Sequence, residues 1–303
     1  MTAMTVPIRH LLSQGPVLRA LGGVALSSLP GRRGRAPSPS VPGPWIEAVL
    51  PPRSPALVRD YVQHVGGDLT AYAGRLPPHL FPQWAFPLAA KTLAGLPYPM
   101  TRVINAGCRI ETRAPLPADE PLVVRARLEA IDDDGRRARI TQRVVTGTRR
   151  VEEALVAEMH AYVPIGKGSG RGERTRKVVP ADATAIASLD LDARAGLDFA
   201  LLTGDFNPIH WVPLWARAAG FRSIILHGFA TMARAFEAVV RSRLGGDPTR
   251  LSMFEARFVK PLVLPARVSV HASPAGGVWV GGAPGGDAHL EGRFETHDTG
   301  LTS

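Results

Sequence analysis

Three observations predict an α+β fold made of two tandem copies of one unit, each a helical segment followed by an antiparallel sheet. First, period-2 alternation recurs along both halves. In residues 120–131, Val123, Arg125 and Arg127 alternate with Leu122, Val124 and Ala126, the mark of a half-buried strand. Second, the halves run in the same order. RIETRAPLPADEPLVVRARL aligns with EARFVKPLVLPARVSVHA, and Gly67-Asp68 aligns with Gly204-Asp205. Third, Gly228 to Leu244 carries Phe229, Met232, Ala233, Phe236 and Val240 at helical spacing, a single apolar stripe.

The chain divides into four parts. Residues 1–44 contain five arginines, no acid and a Pro/Ser-rich end, so half of the net charge of +10 sits on an arm expected to be poorly ordered at its end. Residues 45–163 form the first copy. A Pro-broken apolar stretch (Pro77, Pro78, Pro82, Pro87) stands where its helix belongs, and strands follow at 102–112, 120–131, 137–149 and 154–165. Residues 164–179, PIGKGSGRGERTRKVV, read as a basic Gly-rich linker. Residues 180–297 form the second copy, with strands in SMFEARFVKPLVLP and ARVSVHAS and around GVWVG and HLEGRFET. Its helix should span about 25 Å and stop at Gly245-Gly246. Arg234, Glu237 and Arg241 should lie on the side away from the core, the last two as an i,i+4 pair.

Composition excludes several classes of function. One cysteine, Cys108, rules out an intrachain disulfide framework and a CxxC site. No apolar run reaches the roughly 18 residues of a membrane span. The arm lacks a clean signal-peptide core and cleavage site, so the expected location is cytoplasmic. A peripheral contact of the arm with anionic lipid is the less favoured alternative to a solvated arm. No basic stripe interleaved with aromatics occurs in the body, and nucleic acid is set aside as a partner.

The chemistry concentrates between Gly204 and Gly228. Gly204 permits a turn closed to other residues, and Pro208 stiffens the chain and biases Asn207 toward an extended form. Asp205, Asn207 and His210 therefore sit on a rigid loop, where a carboxylate and an imidazole can converge on one small molecule as an acid/base pair. Pro213 opens a short helix that Gly220 closes. The run Ile224-Ile225-Leu226-His227-Gly228 leads into the long helix, so the Gly228 N–H is a free donor at a helix tip, suited to a developing oxyanion. His227 reads as a packing residue that supports the pair. A metal bound by Asp205, His210 and His227 is the disfavoured alternative. An acid/base pair with an oxyanion donor suits enolate chemistry next to a carbonyl or thioester.

Thr203-Gly204-Asp205-Phe206-Asn207-Pro208-Ile209-His210, Ala218-Ala219-Gly220-Phe221 and His227-Gly228-Phe229 resemble the hydratase-2 motif of MaoC-like dehydratases and (R)-specific enoyl-CoA hydratases. That resemblance implies a double hot-dog fold, with a degenerate first copy that is catalytically silent and widens the acyl groove. It also implies a dyad of Asp205 and His210 holding water, Asn207 orienting it, and the Gly228 N–H on the thioester oxygen. The implied reaction is reversible syn hydration of a trans-2-enoyl-CoA to a (3R)-3-hydroxyacyl-CoA, with no cofactor beyond the coenzyme A of the substrate. The thioester could be carried by coenzyme A or by acyl carrier protein, and a homodimer is expected. Arg257 and Lys260 are candidates for the coenzyme A phosphates. Phe236 replaces a serine that some relatives carry on the central helix, and Thr70 and Ala73 stand where the first copy would need Asn207 and His210. A thioesterase, or an acyl-CoA or acyl-carrier-protein binding module without turnover, are the alternatives.

Overall fold

The computed structural model describes residues 5–15, 40–99, 102–165 and 176–297. The first copy comprises β1 (Ile46–Leu50), α1 (Pro55–Val65), α2 (Pro82–Thr92), β2 (Ile104–Thr112), β3 (Leu122–Asp133), β4 (Arg137–Gly147) and β5 (Leu155–Pro164). The second comprises β6 (Thr184–Leu191), α3 (Ala195–Thr203), α4 (Pro213–Ala218), α5 (Gly228–Arg243), β7 (Leu251–Phe258), β8 (Ala266–Ala272), β9 (Gly277–Gly281) and β10 (Ala288–Thr296). The strands form one sheet in the order β1-β3-β4-β5-β2-β7-β10-β9-β8-β6. Read outward from the middle, the order is the same on both sides. The copies meet through the antiparallel pair β2–β7, with Cys108 opposite Ala256 and Ile110 opposite Phe254. This is the doubled helix-and-sheet architecture that the repeat predicts. The opening strands β1 and β6 escape the alternation argument because both are edge strands, in which at most one residue is buried.

The register makes the correspondence between copies residue-specific. Leu76 N–H donates to Leu116 O and Leu226 N–H to Leu262 O, both at 2.8 Å. The isolated bridges Arg75–Pro117 and Ile225–Val263 sit at the same step. Leu76 thus corresponds to Leu226, Pro77 to His227, and Pro78 to Gly228. From Pro78 the first copy makes a 3₁₀ turn (Pro78–Leu80) and then α2, with Pro87 inside it. At 11 residues α2 is shorter than the 16 of α5, as its prolines dictate.

Two expectations need correction. Part of the arm packs onto the body instead of lying in solvent. Val6 is buried, residues Ile8–Gln14 form a 3₁₀ helix, and the His10 Nε2 lies 2.7 Å from Asp60 Oδ2. The fully buried Gln14 amide donates to the Leu201 and Leu202 carbonyls at 3.0 and 3.1 Å, satisfying the open end of α3. Residues 16–39, and residues 166–175 of the expected linker, lie outside the described residues. The polar side of α5 is also not a solvated face. Arg234 and Glu237 are only 6% and 4% exposed, because α1 and the turns after it cover that side. The Arg234 guanidinium donates to Ala230 O and His64, and Arg241 donates to Gly66 O instead of pairing with Glu237. Glu237 Oε1 accepts from the Tyr72 hydroxyl at 2.8 Å and lies 2.9 Å from His79 Nε2. The seam between the copies is therefore polar at its centre. Among the described residues no helix is long and apolar enough to cross a membrane.

Candidate active site

The loop from α3 to α5 is assembled from backbone restraints. Gly204 ends α3 with φ +84°, a left-handed cap that only glycine adopts without strain. Asn207 is extended and its side chain accepts from Ile209 N–H, capping the 3₁₀ turn Pro208–His210. The Asn207 N–H donates to Asp205 Oδ1 at 3.4 Å, so Asn207 steadies the carboxylate through its main chain, while its own side chain is exposed. Trp211 Nε1 closes the loop on Phe206 O. Beneath it, Gly196 of α3 lies so close to the His210 carbonyl that a Cβ would collide with it.

These restraints bring Asp205, His210 and His227 together, with one ligand-type atom of each within 4.8 Å of the others. His210 Nδ1 lies 2.8 Å from the Ile225 carbonyl, so it carries the proton of the neutral ring and leaves Nε2 as an acceptor. Burial pushes the His210 pKa below the ordinary imidazole value, against the opposing pull of Asp205. His227 stacks on it, ring centroids 3.6 Å apart and planes 24° apart. The His227 Nε2 is 2.9 Å from the Asp205 carbonyl and 4.0 Å from its carboxylate. Burial, then the adjacent His210, pushes the His227 pKa well down, so the ring is neutral and donates Nε2–H to that carbonyl. His227 thus supports both members of the pair, one by a hydrogen bond and one by stacking.

Gly228 opens α5. Its N–H precedes the i→i−4 ladder and points out of the helix tip. A Cβ there would run into the Phe258 ring. Phe258 also packs edge-on against Phe229, which meets Phe81 and Phe86 of the first copy at 5.7 and 5.6 Å, an apolar wall drawn from both copies. The first copy has no equivalent chemistry. Pro78, at the Gly228 position, has no N–H to offer. Asp68 is exposed and caps its own turn through Thr70.

The remaining candidates, Arg257 and Lys260, both lie beside surface carboxylates. Arg257 is 67% exposed beside Glu255, and as the neighbour of Phe258 on β7 it points to the opposite face. Lys260 is ion-paired with Asp287, which also holds Arg176. Three contributors escape sequence reasoning: Gln14, Gly196 and Phe199, whose ring lies 5.0 Å from that of His227. A glycine inside a helix was the one signal for Gly196, and a long-range contact such as that of Gln14 leaves none.

Residues 175–279 match the family model described as MaoC like domain. Enoyl-CoA hydratase ChsH3 of Mycobacterium tuberculosis is 30% identical over 170 residues, covering 54% of this chain and 58% of that protein. The 3-hydroxyacyl-thioester dehydratase Y of the same organism is 35% identical over 163 residues, covering 50% and 55%. The chain thus spans little more than half the length of these curated relatives. Among solved structures, HtdX of Mycobacterium tuberculosis superposes with a TM-score of 0.67 at 22% identity, over 83% of this chain and 100% of that one. A MaoC-like dehydratase from Phytophthora capsici gives 0.70 at 17% identity, over 86% and 97%. A further neighbour, at 14% identity and TM-score 0.56, is described as having a double hot-dog fold. The fold is a double hot-dog, and the second copy is the part of the chain that is similar to the MaoC like domain.

Proposed function

We propose that the chain catalyses reversible hydration of a trans-2-enoyl thioester to a (3R)-3-hydroxyacyl thioester by syn addition. The observation that carries this reading is the convergence of the Asp205 carboxylate and the neutral His210 ring beside the tip of α5. The names of the similar curated proteins support the same reaction class. The carboxylate and His210 Nε2 are both acceptors, so one water can donate a hydrogen bond to each. As its oxygen attacks C3, the pair takes one proton, and the pair then delivers a proton to C2 on the same face. Between these events the thioester oxygen carries enolate charge, stabilised by the Gly228 N–H in line with the helix dipole. Asn207 and His227 hold the pair in place. No step needs a metal or a cofactor, and coenzyme A or acyl carrier protein enters only as the carrier of the acyl group.

The test is hydration of crotonyl-CoA, followed by loss of enoyl absorbance and chiral analysis of the product. Asp205→Asn and His210→Ala should each lower kcat by two orders of magnitude or more, about the size of general acid–base catalysis, with unchanged circular dichroism. Wild-type rates in both variants overturn the assignment. Release of free coenzyme A without loss of the double bond selects a thioesterase, and saturable binding without turnover selects a binding module.

A further inference from the structure

A pocket of about 290 Å³ lies far from the Asp205–His210 pair, and it is built from the silent copy. It takes Tyr72, Arg75, Leu76 and Pro78 from one segment and residues 112–116 from the end of β2 and the loop after it. By the shared register these positions correspond to Ile225, Leu226 and Gly228, and to Phe258 through Leu262, in the second copy. The pocket is therefore the counterpart of the α5 tip in the copy that lacks the dyad. Its opening has a local cause. Thr112 occupies the Phe258 position, and no ring fills the space that Phe258 fills against Gly228. The second copy contributes Pro248, Thr249 and His297, just beyond the far end of α5. At 1.5 Å per residue, the 16 residues of α5 set the two sites roughly 24 Å apart.

The lining has a definite chemical character. Leu76, Pro78, Ala114, Leu116 and Leu155 make it mainly apolar. Three polar side chains in it, those of Thr112, Arg75 and His297, make no hydrogen bond or ion pair among the described residues. The buried Thr112 hydroxyl has no hydrogen bond. The Arg75 guanidinium makes no hydrogen bond or ion pair there. Asp247, the acid it influences, is turned to Thr249. Arg113, by contrast, is held by Glu153 at 2.7 Å. An apolar pocket beside one uncommitted guanidinium selects an amphipathic anion, and a planar carboxylate suits the guanidinium fork.

We propose that the silent copy keeps a second binding site, which takes the carboxylate of a medium-chain aliphatic acid on Arg75 and its chain among Leu76, Ala114 and Leu116. The site binds without turnover, because Pro78 has no N–H and neither an aspartate nor a histidine of the dyad faces it. The inference stands apart from the hydration reaction, since it needs only binding.

Decanoate titrated into the full chain by calorimetry tests it. One equivalent should bind. Arg75→Ala should weaken binding about tenfold, the scale of one charge-assisted hydrogen bond, and Ala114→Trp should abolish it by filling the pocket. Asp205→Asn should bind as the wild type does, and decan-1-ol should bind more weakly than decanoate. Absence of binding overturns the proposal. Binding that survives both Arg75→Ala and Ala114→Trp, or that Asp205→Asn removes, also overturns it, and the latter moves the ligand to the dyad. If Ala114→Trp does not fold, Arg75→Ala and the alcohol comparison still decide.

Discussion

Replacing Glu237 with alanine should destabilise the chain far more than its place on a charged helical stripe suggests. From sequence it is an exposed partner of Arg241, and such a change is worth within about 0.5 kcal/mol. In the structure its carboxyl is 4% exposed and holds the Tyr72 hydroxyl at 2.8 Å and His79 Nε2 at 2.9 Å, across the seam between the copies. His79 is itself fully buried, and the Tyr61 hydroxyl donates to its carbonyl at 2.9 Å. Glu237→Ala strands two buried donors, at roughly 1–3 kcal/mol each. The total, about 2–6 kcal/mol, brackets the roughly 3–5 kcal/mol cost of removing one partner from a buried pair. With about 2–4 °C of Tm per kcal/mol in a domain of this size, a loss of about 3–5 kcal/mol should lower Tm by roughly 6–20 °C. Arg241→Ala, on the rim, is the control and should shift Tm by no more than about 3 °C. Differential scanning calorimetry of the two variants at one pH decides. A Glu237→Ala shift as small as that of Arg241→Ala would refute the argument that the seam is closed by this carboxyl.

Two further outcomes follow from the site. Gly228→Ala should cost on the order of 10²-fold in crotonyl-CoA hydration, the loss of one oxyanion donor, because its Cβ displaces the Phe258 ring and the helix tip with it. The double variant Gly228→Ala/Phe258→Ala should regain part of the rate, and no regain would mean that the clash is not the cause. Burial lowers the pKa of His64, His210 and His227 below the ordinary 6.5. Below pH 6.5 the unfolded chain therefore binds more protons than the folded one, and stability should fall as pH drops from 6.5 through the lowered values, by up to about 1.4 kcal/mol per pH unit for each group. Urea midpoints at pH 7.5 and 5.5 check this. An unchanged or higher midpoint at pH 5.5 contradicts it, and His64→Gln should show the shallower slope.

What sequence made legible was the part encoded locally. Gly204, Asn207 and Pro208 specify their own backbone, so the loop and the convergence of Asp205 and His210 could be foreseen from a dozen residues. The strands with clean alternation, from β2 to β5 and from β7 to β10, were equally visible, and α5 begins at Gly228 as expected. What stayed hidden depends on which surface meets which. An arginine and a glutamate on the polar side of a helix look the same whether water or another copy covers them, so the burial of Arg234 and Glu237 could not be read from spacing. Gln14 lies 187 residues from Leu201, the carbonyl it satisfies, and nothing near it in sequence reports that contact. The opposite faces of β7 explain Arg257: a candidate chosen for nearness in sequence to Phe258 is turned away from it by the pleat.

The two copies also show how little must change for one fold to lose its chemistry. They keep the same strand order and hydrogen-bond the same leucine pair at the helix entry. Yet Pro78 in place of Gly228 removes the N–H that an oxyanion would need, and the shorter loop after Asp68 has no histidine to face it. Neither exchange disturbs packing, since proline is well accommodated in the first turn of a helix. The first copy therefore lacks the parts of the dyad site while keeping the same sheet register. What ties it to the second copy is the seam, where Tyr72 and His79 hold the same helix whose other end carries Gly228.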